Sequence, residues 1–299
     1  MAHSLKLYAA ALAAFGTIDV LTSYMESPTH TDGHSHIVQI PHVEPDADYW
    51  FSGERVPVEN FDVRERLERE LIINSYRHST TILNLKNSAR FFPVIEKILK
   101  EHNIPDDFKY VAVAESDFRN ATSSAGAKGI WQFMESAASD HRLEVNDEVD
   151  ERLHLEKSTI AACEYLKKCK ERFGSWTLAA AAYNMGANGL NKELGNQKSG
   201  NYYDLNLSEE TNRYVFRVVA IKEVLENPGK YGFDLDENKY YPPLDKFSLV
   251  TVDSAIPDLG DFAAQHGTTY RMLKLYNPWL RSWKLSNPKG KVYDIKIPR

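Results

Sequence analysis

Cysteine is scarce in this 299-residue chain, with Cys163 and Cys169 the two examples. They lie six residues apart in one helical pattern. That spacing puts their Cα atoms about 9 Å apart along the axis and about 240° apart around it, beyond the roughly 7 Å reach of a disulfide. A disulfide-stapled fold is therefore excluded, although two buried free thiols are compatible with export. An excess of positive charge is also missing. With 36 Lys and Arg against 42 Asp and Glu the formal net charge is −6, which argues against nucleic acid as a partner, because phosphate binding wants clustered cations. A full-length membrane-spanning run is absent too. Leu7 to Leu21 is mostly apolar but is interrupted by Gly16, Thr17 and Asp19, and no other segment approaches spanning length.

What is present is a chain that is 42% hydrophobic, enough for one large domain and a small one. Its charge is uneven: Phe247 to Arg299 holds eight Lys or Arg against four Asp, a local +4 that leaves −10 on the rest. At the start, Lys6 precedes the apolar stretch, and Ala14-Phe15-Gly16 forms an early small-x-small site. Residues 1–25 read as an export signal or an uncleaved membrane anchor, with a cytoplasmic amphipathic helix as the competing reading. Residues 26–60 are rich in Pro, His and Asp and have no period, as in a linker or an extended strap. Their histidines, His30, His34, His36 and His42, have no cysteine for company and match no ligand spacing, so neither a metal nor a cofactor is expected.

From Val63 to Lys86 the apolar stripe Val63, Leu67, Leu71, Ile72, Tyr76 predicts a helix, and Arg90 to His102 predicts another. Pro105 opens the next, and the nearly continuous apolar run Phe108 to Glu115 predicts a helix buried near the domain centre. Gly129 to His141, His154 to Phe173, Trp176 to a stop at Gly186, and Glu209 to Glu226 complete a mainly α domain. Pro242-Pro243 then separates a tail of about 50 residues, near the lower size limit for independent folding, so docking on the helical domain is expected. Strands at Phe247–Val252 and Tyr293–Ile297 enclose helices at Leu259–His266 and Thr269–Tyr276, a βααβ order. Its predicted core is Leu249, Leu259, Phe262, Ala263, Leu273, Leu275, Ile295 and Ile297.

Glu115 closes the apolar run Val111-Ala-Val-Ala-Glu-Ser-Asp-Phe118. Apolar surroundings raise a carboxyl pKa, and a general acid working near neutral pH needs that shift. The composition alone is equally that of an ordinary helix end. Asp117 should point away on the same helix, and neither it nor Asp140 pairs convincingly with Glu115.

Further blocks follow in order: Glu115-Ser-Asp-Phe118, Ser123 in a polar loop, Gly126-Ala-Lys-Gly-Ile-Trp-Gln132, Ala182-Tyr-Asn-Met-Gly186 and Glu210-Thr-Asn-Arg-Tyr-Val215. Over about residues 88–235 this set resembles the soluble-type lytic transglycosylases, especially the membrane-bound lytic murein transglycosylase D-like group. The resemblance implies a lysozyme-like (goose-type) domain over 61–240. It implies nonhydrolytic cleavage of the MurNAc–GlcNAc β-1,4 bond of peptidoglycan, giving 1,6-anhydromuramyl products. Glu115 would act as acid and then as base, and Ser123, Gln132, Tyr183, Asn184 and Tyr214 would bind glycan, with Glu210 and Met134 in support. The expected setting is the cell envelope or periplasm, membrane-anchored or not, for a monomer acting on peptidoglycan glycan strands. A hydrolytic muramidase and an inactive peptidoglycan-binding protein are the alternatives. Glu210 and Arg213 are spaced to pair on a helix face, and Trp131 and Trp176 are expected to pack in the core rather than to stack on sugar.

Two departures from the family pattern stand out. The loop from Phe118 to Ser123 is one residue short and has Arg119-Asn120 where a Pro is usual, and Met134-Glu-Ser-Ala-Ala138 replaces Met-Pro-Ser-Thr-Ala. The tail, assigned to 245–299, resembles a divergent LysM module through Asp261 to Gly267, Leu273 to Pro278 and Ile297-Pro298. Its opening, Val252-Asp-Ser-Ala-Ile-Pro257, differs from the usual Gly-Asp-Thr. The resemblance implies binding of N-acetylglucosamine glycans, with a purely structural cap as the alternative.

Overall fold

A computed structural model describes residues 40–299. The export signal or anchor expected at 1–25, and His30, His34 and His36, lie outside the described residues. The first described segment crosses the helical domain as an antiparallel hairpin of β1 (Tyr49–Phe51) and β2 (Glu54–Val56). Its two-residue turn, Ser52-Gly53, has φ of 53° and 78°, the doubly positive turn that matches strand twist. Val43, Phe51, Val56 and Val58 are buried in the helical core, so this stretch is tied down by apolar contact. His42 Nδ1 lies 2.7 Å from Glu68.

Helix α1 (Phe61–Tyr76) begins where the Asn60 side chain accepts the Asp62 N–H, and α2 runs from His78 to Glu101. The expected division, one helix over Val63–Lys86 and a second over Arg90–His102, is corrected: the break falls at Arg77, and α2 continues through Pro93. Tertiary partners set that break. Thr81 Oγ1 donates to the Asn74 carbonyl at 2.6 Å, and the Asp117 carboxylate accepts from Arg77 Nη2 at 3.3 Å and Asn84 Nδ2 at 3.0 Å.

Helix α3 (Lys109–Ser116) is short and buried, as its apolar run predicts. The helix expected over Gly129–His141 is also corrected, because only Glu135–Asp140 is helical (α4). Lys128 pairs with Phe133 in an antiparallel bridge, and Gly129 and Gln132 take φ of 83° and 50° to reverse the chain between them. The domain is completed by α5 (Leu155–Phe173), α6 (Trp176–Met185), α7 (Ala187–Gln197) and α8 (Glu209–Glu226). Helix α8 packs against α1, α3 and α6, and the buried alanines 179–182 allow close approach on α6. The Glu54 carboxylate sits at the N-terminus of α6, accepting from the Trp176 and Thr177 N–H groups at 2.6 and 2.9 Å, where the helix dipole favours an anion. Cys163 and Cys169 are free and buried.

In the tail, β3 (Phe247–Val252) pairs antiparallel with β4 (Tyr293–Pro298), with α9 (Leu259–Gln265) and α10 (Tyr270–Tyr276) between them in sequence. Two of the expected core residues are corrected. Leu249 is 56% exposed, since successive strand residues face opposite sides and it is Val250 and Val252 that join the core. Leu275 is 45% exposed, because α10 turns Leu273 rather than Leu275 inward. The core gains Ile256, Trp279, Leu280, Leu285 and Tyr293, together with Val149 and Leu153 from the helical domain. The tail is therefore docked, with Val149 and Leu280 forming a bridge across the seam.

Gly129 makes a close approach that admits no side chain. A Cβ there would lie 1.9 Å from the Arg152 carbonyl oxygen, on a residue with φ of +83°. Gly129→Ala is expected to cost about 2–4 kcal/mol from the clash and the left-handed backbone together. Urea unfolding of the variant checks this; a loss under about 0.5 kcal/mol, the scale of a neutral surface change, would show that the turn relaxes freely.

Candidate active site

The site is built from the end of α3. Tyr110, Val111, Ala112 and Val113 are buried, so the helix emerges from the core with Glu115 on its last turn. It stops because Asp117 and Phe118 take φ of 51° and 58°; the Asp117 N–H donates to the Val113 carbonyl at 2.8 Å. Phe118 is buried against Phe91 and Phe92, with ring centroids 5.2 and 5.4 Å away. The Asp117 carboxylate is committed to Arg77 and Asn84. The Ser116 hydroxyl donates to the Ile130 carbonyl at 2.9 Å and thereby ties the helix end to the following loop.

Glu115 is half-buried, and its Oε1 accepts a hydrogen bond from the Tyr214 hydroxyl of α8 at 2.5 Å. Desolvation pushes the Glu115 carboxyl up to about 7, against the Tyr214 hydrogen bond and the Arg217 guanidinium, which lower it; the Glu210 charge adds to the rise. Glu210, Tyr214 and Arg217 recur at four and three residues along α8, which places them on one helix face. Tyr183 is half-buried, and burial first and the charge of Glu115 second push its hydroxyl well above the ordinary range. That hydroxyl donates to the Trp131 carbonyl at 2.7 Å.

Other candidates organise the surroundings. The Ser123 hydroxyl accepts the Ala127 N–H at 3.0 Å, while the Ser123 N–H donates to the Ala127 carbonyl at 2.9 Å. Gln132 Nε2 donates to the Gly129 carbonyl at 2.8 Å and to the Ala121 carbonyl at 3.2 Å. Both side chains thus hold the loop over 121–133. Asn184 Oδ1 accepts from Thr211 Oγ1 at 2.8 Å and joins α6 to α8. Met134 is exposed immediately before α4, and Glu210 is exposed on the first turn of α8. Trp131 is fully buried with Nε1 donating to Thr159 Oγ1 at 2.8 Å, and Trp176 packs on Phe108 at 5.3 Å. The expected Glu210–Arg213 pair is corrected: Arg213 bonds buried Glu70 of α1 at 2.6 Å and lies 3.7 Å from Glu209.

The fold thus gathers Tyr214, Tyr183, Glu210 and Arg217 around Glu115. Ser123, Gln132 and Asn184 have the bonds just described. Sequence reading missed Arg217, whose signal was its position one turn beyond Tyr214. It also missed Asp150 and Arg152, buried ions in a segment without periodicity.

Two families match the chain: the transglycosylase SLT domain over residues 92–206, and the soluble lytic transglycosylase C-terminal LysM-like domain over residues 248–299. The mainly helical, lysozyme-like domain and the βααβ module correspond to these two regions. Membrane-bound lytic murein transglycosylase D of Escherichia coli (strain K12) is 28% identical over 271 residues, covering 86% of this chain and 57% of that protein. The protein of the same name from Escherichia coli O6:H1 gives the same 28% identity and the same coverage. The chain thus spans little more than half the length of these curated relatives.

The Glu115 carboxyl has a signed consequence for stability. Its folded pKa of about 7 exceeds the ordinary 4.5, so its contribution is fully present below about 4.5 and is lost as pH rises through about 7. Glu115→Gln, neutral throughout, should gain stability relative to the parent as pH rises across that window. Tyr214→Phe should raise the Glu115 pKa further. Urea unfolding at pH 5 and pH 8 and carboxyl NMR titration check the two statements; a flat stability difference or an unmoved Glu115 midpoint would contradict them.

Proposed function

We propose that this chain, which carries a transglycosylase SLT domain and a C-terminal LysM-like module and is related to the membrane-bound lytic murein transglycosylase D proteins, is a peptidoglycan lytic transglycosylase with Glu115 as its acid and base. The observation that supports this best is a single carboxyl with its pKa pushed up to about 7, hydrogen-bonded by Tyr214. The nearest carboxylate in sequence, Asp117, is occupied by Arg77 and Asn84.

Near neutral pH a large fraction of Glu115 is protonated. It donates that proton to the oxygen bridging MurNAc and GlcNAc as the C1–O bond breaks, and the leaving sugar departs with a hydroxyl. The substrate's own N-acetyl oxygen closes on C1 and forms an oxazolinium-like species, so no protein carboxylate is needed opposite the leaving group. Glu115 is now ionised. It accepts the proton of the MurNAc 6-hydroxyl as that oxygen attacks C1 and opens the oxazolinium ring. The product is a 1,6-anhydro sugar, the carboxyl returns protonated, and no water is consumed. The Tyr214 hydroxyl stabilises the ionised stage, since a hydrogen bond to the charged form favours that form. Tyr183 is assigned to the acetamido group or to the carboxylate, and Ser123, Gln132, Asn184, Glu210 and Met134 to the walls of the glycan site.

Peptidoglycan glycan strands are the proposed substrate, and the cell envelope or periplasm the proposed location. Export or anchoring is assigned to residues 1–25. Mass spectrometry of digests of purified sacculi is expected to find 1,6-anhydromuramyl ends, and Glu115→Gln to lose at least about 100-fold in rate, the scale of a lost general acid. Reducing ends alone would make the protein a hydrolytic muramidase, and no product from any sacculus would make it a binding protein.

A further inference from the structure

We infer that the C-terminal module is part of the catalytic unit, acting as a brace that positions the 121–133 loop through Arg152. The inference rests on the lytic transglycosylase reading and adds to the module a role apart from gathering glycan.

The brace acts through a short segment of the helical domain, residues 148–153, with no extended regular structure beyond a single 3-10 turn at Glu151–Leu153. A backbone of this kind must find partners for its polar groups beyond regular structure; Glu144, Asn146 and Asp150 supply some of them, and the tail supplies others. The Asp150 N–H donates to the Trp279 carbonyl at 2.9 Å, and the Arg281 N–H donates to the Glu148 carbonyl at 2.7 Å. The Glu148 carboxylate accepts from the Ser286 N–H at 2.6 Å and from its hydroxyl at 2.7 Å. Val149 and Leu153 are buried in the hydrophobic core of the tail.

The side chains of the same segment hold the loop. Asp150 is 2% exposed and Arg152 is 3% exposed. Asp150 accepts from Arg152 Nε and Nη2, both at 2.8 Å, and from Lys128 Nζ of the loop at 3.2 Å. Arg152 Nη1 donates to the carbonyls of Gly126 at 3.2 Å and Phe133 at 3.4 Å. The Arg152 carbonyl fills the space where a side chain on Gly129 would go. Within the clamped stretch lie Gln132 and Trp131, whose carbonyl orients the Tyr183 hydroxyl. A continuous path of direct contacts therefore runs from Trp279 through Asp150 and Arg152 to the loop and on to Tyr183. A buried ion pair adds little net stability over a well-packed apolar contact, but removing one partner leaves the other charge uncompensated.

A module that only gathers glycan would alter apparent affinity for sacculi and leave turnover of a short substrate untouched. A brace acts on turnover, because misplacing groups around the reacting bond by an ångström costs up to about 100-fold. The experiment uses the full chain and a soluble GlcNAc–MurNAc tetrasaccharide. Trp279→Ala and Glu148→Gln loosen the contact from its two sides, and Asp150→Asn frees Arg152. Each variant is measured for kcat and KM separately and for native-state hydrogen exchange of the amides over 121–133. All three should lower kcat, by about 10-fold or more for Trp279→Ala and Asp150→Asn, with KM changed by less than about threefold and loop exchange accelerated; Trp279→Phe should restore most of the loss. Glu148→Gln, at a partly exposed contact, decides the matter if the other variants do not fold. Unchanged kcat and unchanged loop exchange would overturn the brace. A parent protein that releases no product would count against the lytic reading instead, and the exchange arm would still decide whether the tail holds the loop.

Discussion

Withdrawal of water from one carboxyl is the constraint around which the helical domain is arranged. The core does not bury Glu115 completely; it delivers the residue on the last turn of a buried helix, where desolvation raises its pKa to about 7 and a partial opening remains. Two consecutive left-handed residues, Asp117 and Phe118, end the helix there and turn the next carboxylate toward Arg77 and Asn84. The same contacts fix the elbow between α1 and α2, so the local geometry of Glu115 and the packing of the first two helices share their hydrogen bonds.

Helix α8 supplies the opposing balance. Tyr214 donates to the carboxylate, Arg217 favours its ionised form and Glu210 disfavours it. Burial alone would push the pKa high enough to leave a poor base in the second half of the proposed reaction. A hydrogen bond to the charged state and a nearby guanidinium bring it back toward the pH at which one group can both give and take a proton. The loop over 121–133 is held by a different set of contacts: Ser123 and Gln132 within the loop, Ser116 at the end of α3, and Arg152 behind it.

Much of the helical layout was legible because amphipathic stripes and stop signals coincide in it. Glu209–Glu226 and Phe247–Val252 have the same bounds in sequence and in structure, since Ser208 caps the former and Pro242-Pro243 isolates the latter. The break at Arg77 was illegible because it is set by Asp117, 40 residues away in sequence. The turn at Gly129–Gln132 has the composition of a helix because Ile130 and Trp131 are apolar and buried, while what holds it as a turn is distant in sequence: Ser116 on the Ile130 carbonyl and Thr159 on the Trp131 ring. Helix α7 went unseen because Leu190 is its one fully buried residue. For the site, the ordered blocks pointed to Glu115 and Tyr214, which the fold brings into contact. Asp150 and Arg152 left no local pattern, because their importance lies in partners spread over residues 126–133 and 279. In the tail, strand alternation rather than hydrophobicity decides the faces, which is why Leu249 was misassigned.

The pH dependence of kcat/KM for the intact protein on soluble peptidoglycan strands tests the central claim most directly, because its limbs report the essential groups of the free enzyme. If a desolvated Glu115 is the proton donor, the profile falls about tenfold per pH unit above a midpoint near 7. A profile that stays flat from pH 6 to 9, or that has already fallen by pH 5, would contradict the assignment of Glu115 as an acid held protonated by its surroundings.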